Sequence, residues 1–257
     1  MSLPHFFAGA PDPGAELVLD RDDARHATRS LRLGEGDRLI SSDGRGAVAV
    51  ARITEAGKDV VRAVVEERRE VPLESPRLTV VLAAPKGDRL AWAIQKLTEV
   101  GTDRIVLAES EHSARRWSGG RAAKARGRAE AIAGAAAKQS RRARLPEIAG
   151  PTSWAQAMAE AASSGPVILL WEGATGGLAS VLPEEAPEAL TLAVGPEGGI
   201  TAEEARDAET RGASLAALGL TILRTETAAL AGASIALARY GRLGDRSGPL
   251  DPGGETG

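Results

Sequence analysis

A glycine-rich loop with a carboxylate in its middle is the most distinctive candidate site in the sequence. It reads Gly-Pro-Glu-Gly-Gly over residues 195–199, and a helical pattern begins at Thr201. Pro196 restricts the backbone and the flanking glycines permit conformations that other residues avoid, so we expect a stiff loop with exposed main-chain groups. The phosphate-binding pattern GxxxxGK[ST] does not fit this loop, and Glu197 would repel a phosphate but tolerate a cation. Taken alone, the loop is equally well explained as a tight turn whose glutamate caps the next helix.

A second polar cluster, Arg224-Thr225-Glu226-Thr227, stands where the last helix is predicted to begin. Thr225 or Thr227 could cap that helix, and Glu226 would interact favourably with its positive end. Arg224 has the wrong charge for this position, which indicates an anionic partner, either Glu226 or a substrate. His112 could also exchange protons near neutral pH, although a lone histidine in a loop is more often incidental.

The pattern from Leu78 onward predicts strands alternating with helices, and hence a mostly parallel sheet covered on both faces. Asp88 is a candidate N-cap, and Thr201 with Glu204 forms a capping-box pattern. In such sheets, ligands bind beyond the carboxyl ends of the strands. We therefore expect the site in the loops at those ends, residues 169–175, 193–201 and 218–230. The apolar runs that predict strands are 78–84, 104–110, 166–173, 190–195 and 214–218, and the predicted helices include 88–101 and 121–143.

Residues 1–72 have a different pattern, with short alternating runs separated by turn-rich segments. Several such strands at regular spacing predict a small β-barrel, with one helix over residues 22–32. Two prolines in 71–76 indicate a linker. The predicted organisation is a first domain over 1–72, a second over 73–245 and a disordered tail over 246–257.

The composition excludes several classes of protein. Of 257 residues, 43% are hydrophobic and 26% charged, there is no cysteine, and there are three histidines. These values predict a globular protein without disulfides, and they argue against a zinc site. We find no apolar run long enough to span a bilayer and no signal-peptide pattern, so a cytoplasmic location without membrane attachment is expected.

The positive charge is concentrated in one segment, although the formal net charge is -3. Between His112 and Arg144 the only acidic residue is Glu130. A basic belt on an acidic body predicts a polyanionic partner such as RNA; a solvated, arginine-rich helix face is the alternative. The basic belt consists of Arg115, Arg116, Arg121, Lys124, Arg126, Arg128, Lys138, Arg141, Arg142 and Arg144.

Several motifs in this order carry a resemblance to a known family. They are GPEGG at 195–199, LGLTILRTETA at 218–228, QSRRARLPEI at 139–148, and the spacing of Lys86, Trp92, Lys96, Glu99 and Gly101. Together they resemble the RsmE family of 16S ribosomal RNA uridine-N3 methyltransferases, within the SPOUT superfamily. The sequence departs from the family pattern at His112 and Thr221, where arginine is usual, and at Lys138, where glutamate is usual.

The resemblance implies a PUA-like β-barrel for RNA, followed by an α/β SPOUT domain with a C-terminal trefoil knot. It implies that three knot loops hold S-adenosylmethionine, mainly through main-chain groups, which would explain a glycine loop without lysine. The residues that the resemblance assigns to this cofactor are Leu170, Glu172, Gly195, Pro196, Glu197, Gly198, Gly199, Leu218, Leu220, Leu223 and Thr225.

The reaction implied is methylation of N3 of one uridine of 16S rRNA in the 30S subunit, position 1498 in the standard rRNA numbering. No metal is required, and a homodimer is expected. Arg224 is the first candidate for stabilising negative charge on uracil, with Glu226 and His112 as further catalytic candidates. Two alternatives remain: another SPOUT RNA methyltransferase with a tRNA or ribose target, and a non-catalytic RNA-binding assembly factor. The candidates for RNA binding are Arg29, Arg32, Arg115, Arg116, Lys138, Arg141 and Arg142.

Overall fold

The structure is a computed structural model that describes residues 3–109, 117 and 120–244. Internal contacts divide the chain into two units. Among the described residues, the first comprises those up to Leu73 together with Ala137–Leu145, and the second comprises those of Glu74–Ala136 and of 146–244. The first unit therefore includes a segment that is distant from the rest of it in sequence.

The first unit is built on one five-stranded sheet with the order β1-β3-β4-β5-β2. Its ladders are antiparallel except that β1 pairs parallel with β3. The strands expected from the sequence are present, but the predicted barrel is a sheet whose edge strands β1 and β2 share no ladder within the described residues. The strands are β1 (His5–Phe6), β2 (Glu16–Leu19), β3 (Arg38–Ser42), β4 (Ala47–Ala56) and β5 (Val61–Glu70).

A short helix connects β2 with β3 in this unit. Helix α1 covers Arg21–Arg25 and continues as one wider turn over His26–Ser30, which confirms the helix predicted for this region. Asp20 caps it, because its carboxylate accepts hydrogen bonds from the amides of Asp22 and Asp23. The helix buries Ala24 and Ala27 against the sheet core.

The second unit contains a six-stranded sheet in which every ladder is parallel. The strand order is β11-β9-β10-β6-β7-β8. Five of these strands were predicted; β8 was missed because its sequence EIAGPTS has no apolar run and only partial burial. The strands are β6 (Arg77–Ala83), β7 (Arg104–Glu109), β8 (Glu147–Ser153), β9 (Val167–Leu170), β10 (Ala189–Val194) and β11 (Ser214–Ala216).

Helices cover both faces of this sheet, as the continuous apolar strands predict. One face packs Leu78, Val80 and Leu82 against α2, α3, α5 and α7, and the other packs Val81 and Val106 against α4 and α6. The helices are α2 (Arg89–Val100), α3 (Gly120–Ser140), α4 (Trp154–Ser164), α5 (Leu178–Val181), α6 (Ala202–Thr210) and α7 (Thr225–Arg239).

The helix caps correct one detail of the sequence analysis and confirm another. The capping box of α6 is present: the hydroxyl of Thr201 accepts from the Glu204 amide at 3.1 Å, and the Glu204 carboxylate accepts from the Thr201 amide at 2.8 Å. Asp88 does precede α2, but its side chain makes no capping hydrogen bond and its backbone is already helical. The prediction that Asp88 caps α2 was therefore wrong.

The small residues of α7 allow the helix to lie close to the sheet. A Cβ atom added at Gly232 would stand 2.7 Å from Cδ1 of Leu170, and Ala229, Ala233 and Ala236 are fully buried. This stretch therefore packs within its own chain. Among the described residues, no helix is both long and apolar enough to cross a membrane, and no group of three or more His, Asp or Glu is arranged to hold a metal ion.

Candidate functional site

The candidate site lies at the carboxyl ends of neighbouring parallel strands. Val194, the last residue of β10, pairs with Leu170 at the end of β9 and with Leu82 near the end of β6. Because parallel strands end at the same edge of a sheet, the loops 171–177 and 195–201 leave it side by side. The loop 217–224 joins them after β11, since Ala216 pairs with Leu170. Residues 84–88, which lead from β6 to α2, form a fourth segment at this edge that the sequence analysis did not include.

The glycine loop is tightly turned. The amide of Gly199 donates to the carbonyl of Pro196 at 2.9 Å, and Gly199 has a φ of +81°, in the region that favours glycine. A Cβ added at Gly195 would stand 2.5 Å from Cγ1 of the buried Ile200, so only glycine fits there. The turn therefore depends on glycine at both positions, and the stiffness of the loop stays a prediction. The alternative in which Glu197 caps the next helix is wrong, because Thr201 and Glu204 cap it.

Hydrogen bonds connect the three loops. The hydroxyl of Thr225 donates to the carbonyl of Gly195 at 3.0 Å. The indole Nε1 of Trp171 donates to the carbonyl of Ile200 at 2.9 Å, and the Trp171 amide donates to the carbonyl of Ala216 at 2.9 Å. These bonds link the glycine loop to the loop after β9 and to the start of α7, and they link the loop after β9 to the end of β11.

A cavity of about 110 Å³ opens between the loop 171–177, called the first loop below, and the loop 217–224, called the third loop. Five residues that the resemblance assigns to the cofactor line it: Leu170, Glu172, Leu218, Leu220 and Leu223. The glycine loop is not among the lining residues, but it adjoins them, since a Cβ added at Gly199 would stand 3.2 Å from Oε1 of Glu172. The other lining residues are Trp171, Ala216, Ala217, Gly219, Thr221, Ile222 and Ala228.

The cavity walls carry one negative charge and no positive charge. Glu172 is the only ionisable residue among those that line the cavity. The leucines provide apolar surface, and two side chains of the third loop, Leu220 and Ile222, are 107% and 85% exposed. Such walls suit a flat apolar group together with a cation, and they do not suit a phosphate.

The polar residues at the start of α7 make different contacts from those predicted from the sequence. Arg224 occupies the N-cap position and no side chain caps the helix, so the prediction that Thr225 or Thr227 does so was wrong. Thr225 is 5% exposed and its hydroxyl contacts the glycine loop instead. Arg224 is exposed, and within the described residues it has no recorded ion pair with Glu226.

Glu226 is paired with a residue that the sequence analysis missed. Its carboxylate lies 3.7 Å from Nε of Arg89, the first residue of α2, and Arg89 also lies 3.5 Å from Oε1 of Glu197. Glu226 is 8% exposed, and its Oε2 is buried without a hydrogen-bond partner in the described part of the chain. The Lys86 amide donates to Oε1 of Glu197 at 3.1 Å. The sequence did contain a signal for Arg89: a cation in the first turn of a predicted helix is unfavourable there, and the same argument singled out Arg224.

The predicted RNA-binding residues fall into three groups. Arg29 and Arg32 are exposed in the first unit, which also contains Arg141 and Arg142. Lys138 lies in the same unit, and its Nζ contacts both carboxylate oxygens of Asp23, at 2.6 and 2.9 Å, so much of its charge is neutralised. The predicted residues His112, Arg115 and Arg116 lie outside the described residues.

Two family models match the chain. An RNA methyltransferase domain matches residues 72–237, and an RNA methyltransferase PUA domain matches residues 19–66. Both matched segments coincide with sheet-containing parts of the fold, and together they include every described residue of the candidate site.

Named relatives and solved structures agree with these models. The chain is 37% identical to the ribosomal RNA small subunit methyltransferase E of Mycobacterium bovis, over 92% of this chain and 90% of the relative. It is 30% identical to the protein of the same name from Bacillus subtilis, over 81% of this chain and 84% of the relative. The fold is similar to that of the enzyme of this name from Neisseria gonorrhoeae bound to S-adenosyl methionine, with a TM-score of 0.83, 27% identity, and coverage of 93% of this chain and 98% of that one. It is also similar to a probable rRNA methyltransferase from Porphyromonas gingivalis, with a TM-score of 0.79, 31% identity, and coverage of 93% and 99%.

Proposed function

Because the chain belongs to the family of ribosomal RNA small subunit methyltransferase E, we propose that it transfers a methyl group from S-adenosylmethionine to N3 of one uridine in 16S rRNA. The uridine is position 1498 in the standard rRNA numbering. The observation that carries this proposal is the cavity at the strand ends, lined by Leu170, Glu172 and the third loop. It occurs in a fold similar to that of a relative bound to S-adenosyl methionine.

The residues around the cavity fit this cofactor. S-adenosylmethionine supplies an electrophilic methyl group on a sulfonium cation when it is bound. The cavity offers apolar walls for an adenine ring and the Glu172 carboxylate for positive charge. The glycine loop offers main-chain groups without side-chain bulk, and the Thr225 hydroxyl holds its Gly195 carbonyl. We assign Gly195–Gly199, with the cavity-lining residues and Thr225, to cofactor binding on this basis.

Transfer to N3 requires removal of a proton, because N3–H of uridine is a weak acid and its neutral form is a poor nucleophile. The unpartnered Oε2 of Glu226 is the acceptor that the site offers for this proton. The hydrogen bond between a catalytic base and its substrate often forms only when the substrate is bound. With the cofactor bound, the N3 lone pair would form the new bond to the methyl carbon as the carbon–sulfur bond breaks. Because Oε2 of Glu226 is buried, the proton would stay on this carboxyl group until the product leaves, and would then be released.

Arg224 is assigned to the negative charge that develops on the uracil ring as the proton leaves. Its side chain is exposed at the start of α7, one residue from the Thr225 that contacts the glycine loop. A guanidinium at this position can donate to a uracil oxygen or to a phosphate. The target base has to be unpaired or flipped out, because N3 takes part in base pairing.

RNA binding is assigned to a domain over residues 1–72 and to the basic belt. The match to a PUA domain over residues 19–66 supports the first part, and the exposed Arg29 and Arg32 carry positive charge there. Contacts with the phosphate backbone would position the RNA, while the base is recognised in the methyltransferase domain over residues 73–245. Residues 246–257, the predicted tail, lie outside the described residues.

A trefoil knot in the second domain is consistent with the connections at the strand ends. β11 lies at an edge of the sheet beyond β9, whereas α7 packs against β6 and β10. The chain after β11 therefore returns past the first loop, where the Ala217 amide donates to the carbonyl of Gly176 and the Leu178 amide donates to the carbonyl of Ala217. We propose that this segment is threaded through the chain there.

We also propose a cytoplasmic homodimer. The nearly fully exposed Leu220 and Ile222 support association, because apolar side chains clustered on one loop commonly mark an interface. Sedimentation of the purified protein measures the oligomeric state directly, and a monomer at high micromolar concentration would contradict this part of the proposal.

The function is tested by incubating the protein with labelled S-adenosylmethionine and unmodified 30S subunits, naked 16S rRNA or tRNA. We expect label in 16S rRNA, recovered as N3-methyluridine in nucleoside mass spectrometry. Label found only in tRNA or on ribose would refute the assignment. The matched variant Glu226→Gln is expected to bind the cofactor normally and to methylate about a hundredfold more slowly. Absence of cofactor binding by the unaltered protein in calorimetry would favour a non-catalytic role.

A further inference from the structure

Arg89 is held between two carboxylates that come from different parts of the site. Its Nη1 lies 3.5 Å from Glu197 of the glycine loop, and its Nε lies 3.7 Å from Glu226 at the start of α7. Arg89 itself is the first residue of α2, in the second domain with both partners. The guanidinium thus bridges the loop assigned to the cofactor and the carboxylate assigned to the proton.

The position of Arg89 is unfavourable for α2 taken alone. A cation in the first turn of a helix opposes the positive end of the helix dipole, and Asp88 makes no capping hydrogen bond that would offset it. The two carboxylates supply the compensation that α2 lacks. The arginine at this position is therefore better explained by its partners than by the helix that carries it.

The two carboxylates depend on Arg89 to different degrees. Glu197 is 27% exposed and also accepts a hydrogen bond from the Lys86 amide, so it keeps a partner when Arg89 is removed. The Glu226 side chain is 11% exposed, its Oε2 is unpartnered, and within the described ranges Arg89 is the one cation recorded against it. When a buried carboxylate loses its cationic partner, its charged form is strongly destabilised at that position.

We propose that Arg89 is a positioning residue that sets the Glu226 carboxylate against the glycine loop, and so aligns the proton acceptor with the bound methyl donor. The inference rests on the proposed function, because it assigns Arg89 a role in that same site. Arg89 acts through Glu226 and Glu197 and takes no proton itself. Removal of its charge is therefore expected to lower kcat more than it weakens cofactor binding.

The geometry also predicts which substitution restores activity. Both contacts of Arg89 are longer than a typical hydrogen bond, so they act mainly through charge and do not require the planar guanidinium fork. Arg89→Lys keeps a charge of the same sign and is expected to retain kcat within about threefold. Arg89→Met keeps the length of the side chain without its charge, and we expect kcat to fall by about tenfold or more.

The experiment measures four variants with unmodified 30S subunits and labelled S-adenosylmethionine, and measures cofactor affinity separately by calorimetry without RNA. The variants are Arg89→Met, Arg89→Lys, Glu226→Gln and the double variant Arg89→Met/Glu226→Gln. Arg211→Met is the matched control, since Arg211 makes an exposed ion pair with Asp207 on α6. Thermal melting checks that each variant is folded.

We expect Arg89→Met to weaken cofactor binding by no more than about threefold, because Glu197 keeps its bond from Lys86. The double variant should be no slower than Glu226→Gln alone, because two residues that act as a unit are not additive. Wild-type kcat in Arg89→Met, an Arg89→Lys variant as slow as Arg89→Met, or additive losses in the double variant would each overturn the inference. If Arg89→Met does not fold, Arg89→Lys decides: a folded lysine variant whose kcat is about tenfold or more below that of the unaltered protein would overturn the inference. Failure of the unaltered protein to bind the cofactor or to methylate rRNA would instead overturn the proposed function.

Discussion

Replacing Gly195 with alanine is expected to weaken the binding of S-adenosylmethionine through a steric effect that spreads from the glycine loop. The new Cβ would stand 2.5 Å from Cγ1 and 2.8 Å from Cδ1 of Ile200. Carbon atoms in contact are separated by about 3.5–4.0 Å, so the overlap is about 1 Å. Ile200 is 7% exposed and cannot turn outward without leaving the core.

The cost of this overlap can be estimated. Overpacking of a buried site typically costs about 1–3 kcal/mol, because neighbours leave their preferred positions. Relief requires Ile200 to move, and its carbonyl accepts the indole hydrogen bond from Trp171 in the first loop. Gly195 is also the residue whose carbonyl accepts from Thr225. If the whole cost appears in the folded, cofactor-binding arrangement, affinity falls by roughly 5- to 150-fold.

Calorimetry without RNA is the assay for Gly195→Ala, because it measures the cofactor site apart from catalysis. The double variant Gly195→Ala/Ile200→Ala removes the two atoms that the new Cβ would overlap, and it is expected to recover most of the affinity. Gly134→Ala is the matched control: it lies in α3, and a Cβ added there meets nothing within 4 Å. A folded Gly195→Ala protein with unchanged affinity, or a double variant that recovers none, would refute the steric reasoning.

Three further predictions concern other contacts. Thr225→Val removes the 3.0 Å hydrogen bond to Gly195 and should weaken cofactor binding about fivefold, whereas Thr225→Ser should retain it; calorimetry distinguishes the two. In salt titrations of RNA binding, Arg29→Ala should reduce the magnitude of the negative slope of log K against log salt by about 0.7–0.9. Lys138→Ala removes a charge that is already ion-paired with Asp23, so it should reduce the magnitude less. Equal changes in the two variants would contradict this prediction. Burial lowers the pKa of His5 from 6.5 to about 4. As the pH falls, the unfolded state therefore binds a proton before the folded state does, and the free energy of unfolding should fall by up to about 3 kcal/mol between pH 6.5 and 4. Urea unfolding at pH 7 and 4.5 measures this loss, and His5→Gln should reduce it.

Much of the fold could be predicted from local patterns. Continuous apolar runs predicted five of the six parallel strands, and the Thr201–Glu204 spacing predicted the cap of α6. These features depend on neighbours in the sequence or on burial alone, so a single chain reveals them. β8 was not predicted, because this partly buried strand contains Gly150 and Pro151 and has no continuous apolar run.

The partners of the polar residues could not be predicted in this way. The position of Thr225 at a helix start was evident, but its hydrogen bond to Gly195 depends on where a loop thirty residues earlier lies. The same holds for Lys138, whose charge indicated RNA binding until Asp23 was found against it, 115 positions away along the chain. Contacts over such distances depend on chain topology, which local propensity does not specify.

The sequence by itself determined the parallel sheet, the loops at its strand ends, the position of the glycine turn and the family resemblance. Only the tertiary structure decided that Arg89 reaches both Glu197 and Glu226, and that the cavity lies between the first and third loops with the glycine loop beside it. The physical reason is that backbone conformation and burial follow from nearby residues, whereas the pairing of charges and hydrogen bonds requires segments that are far apart in sequence to meet.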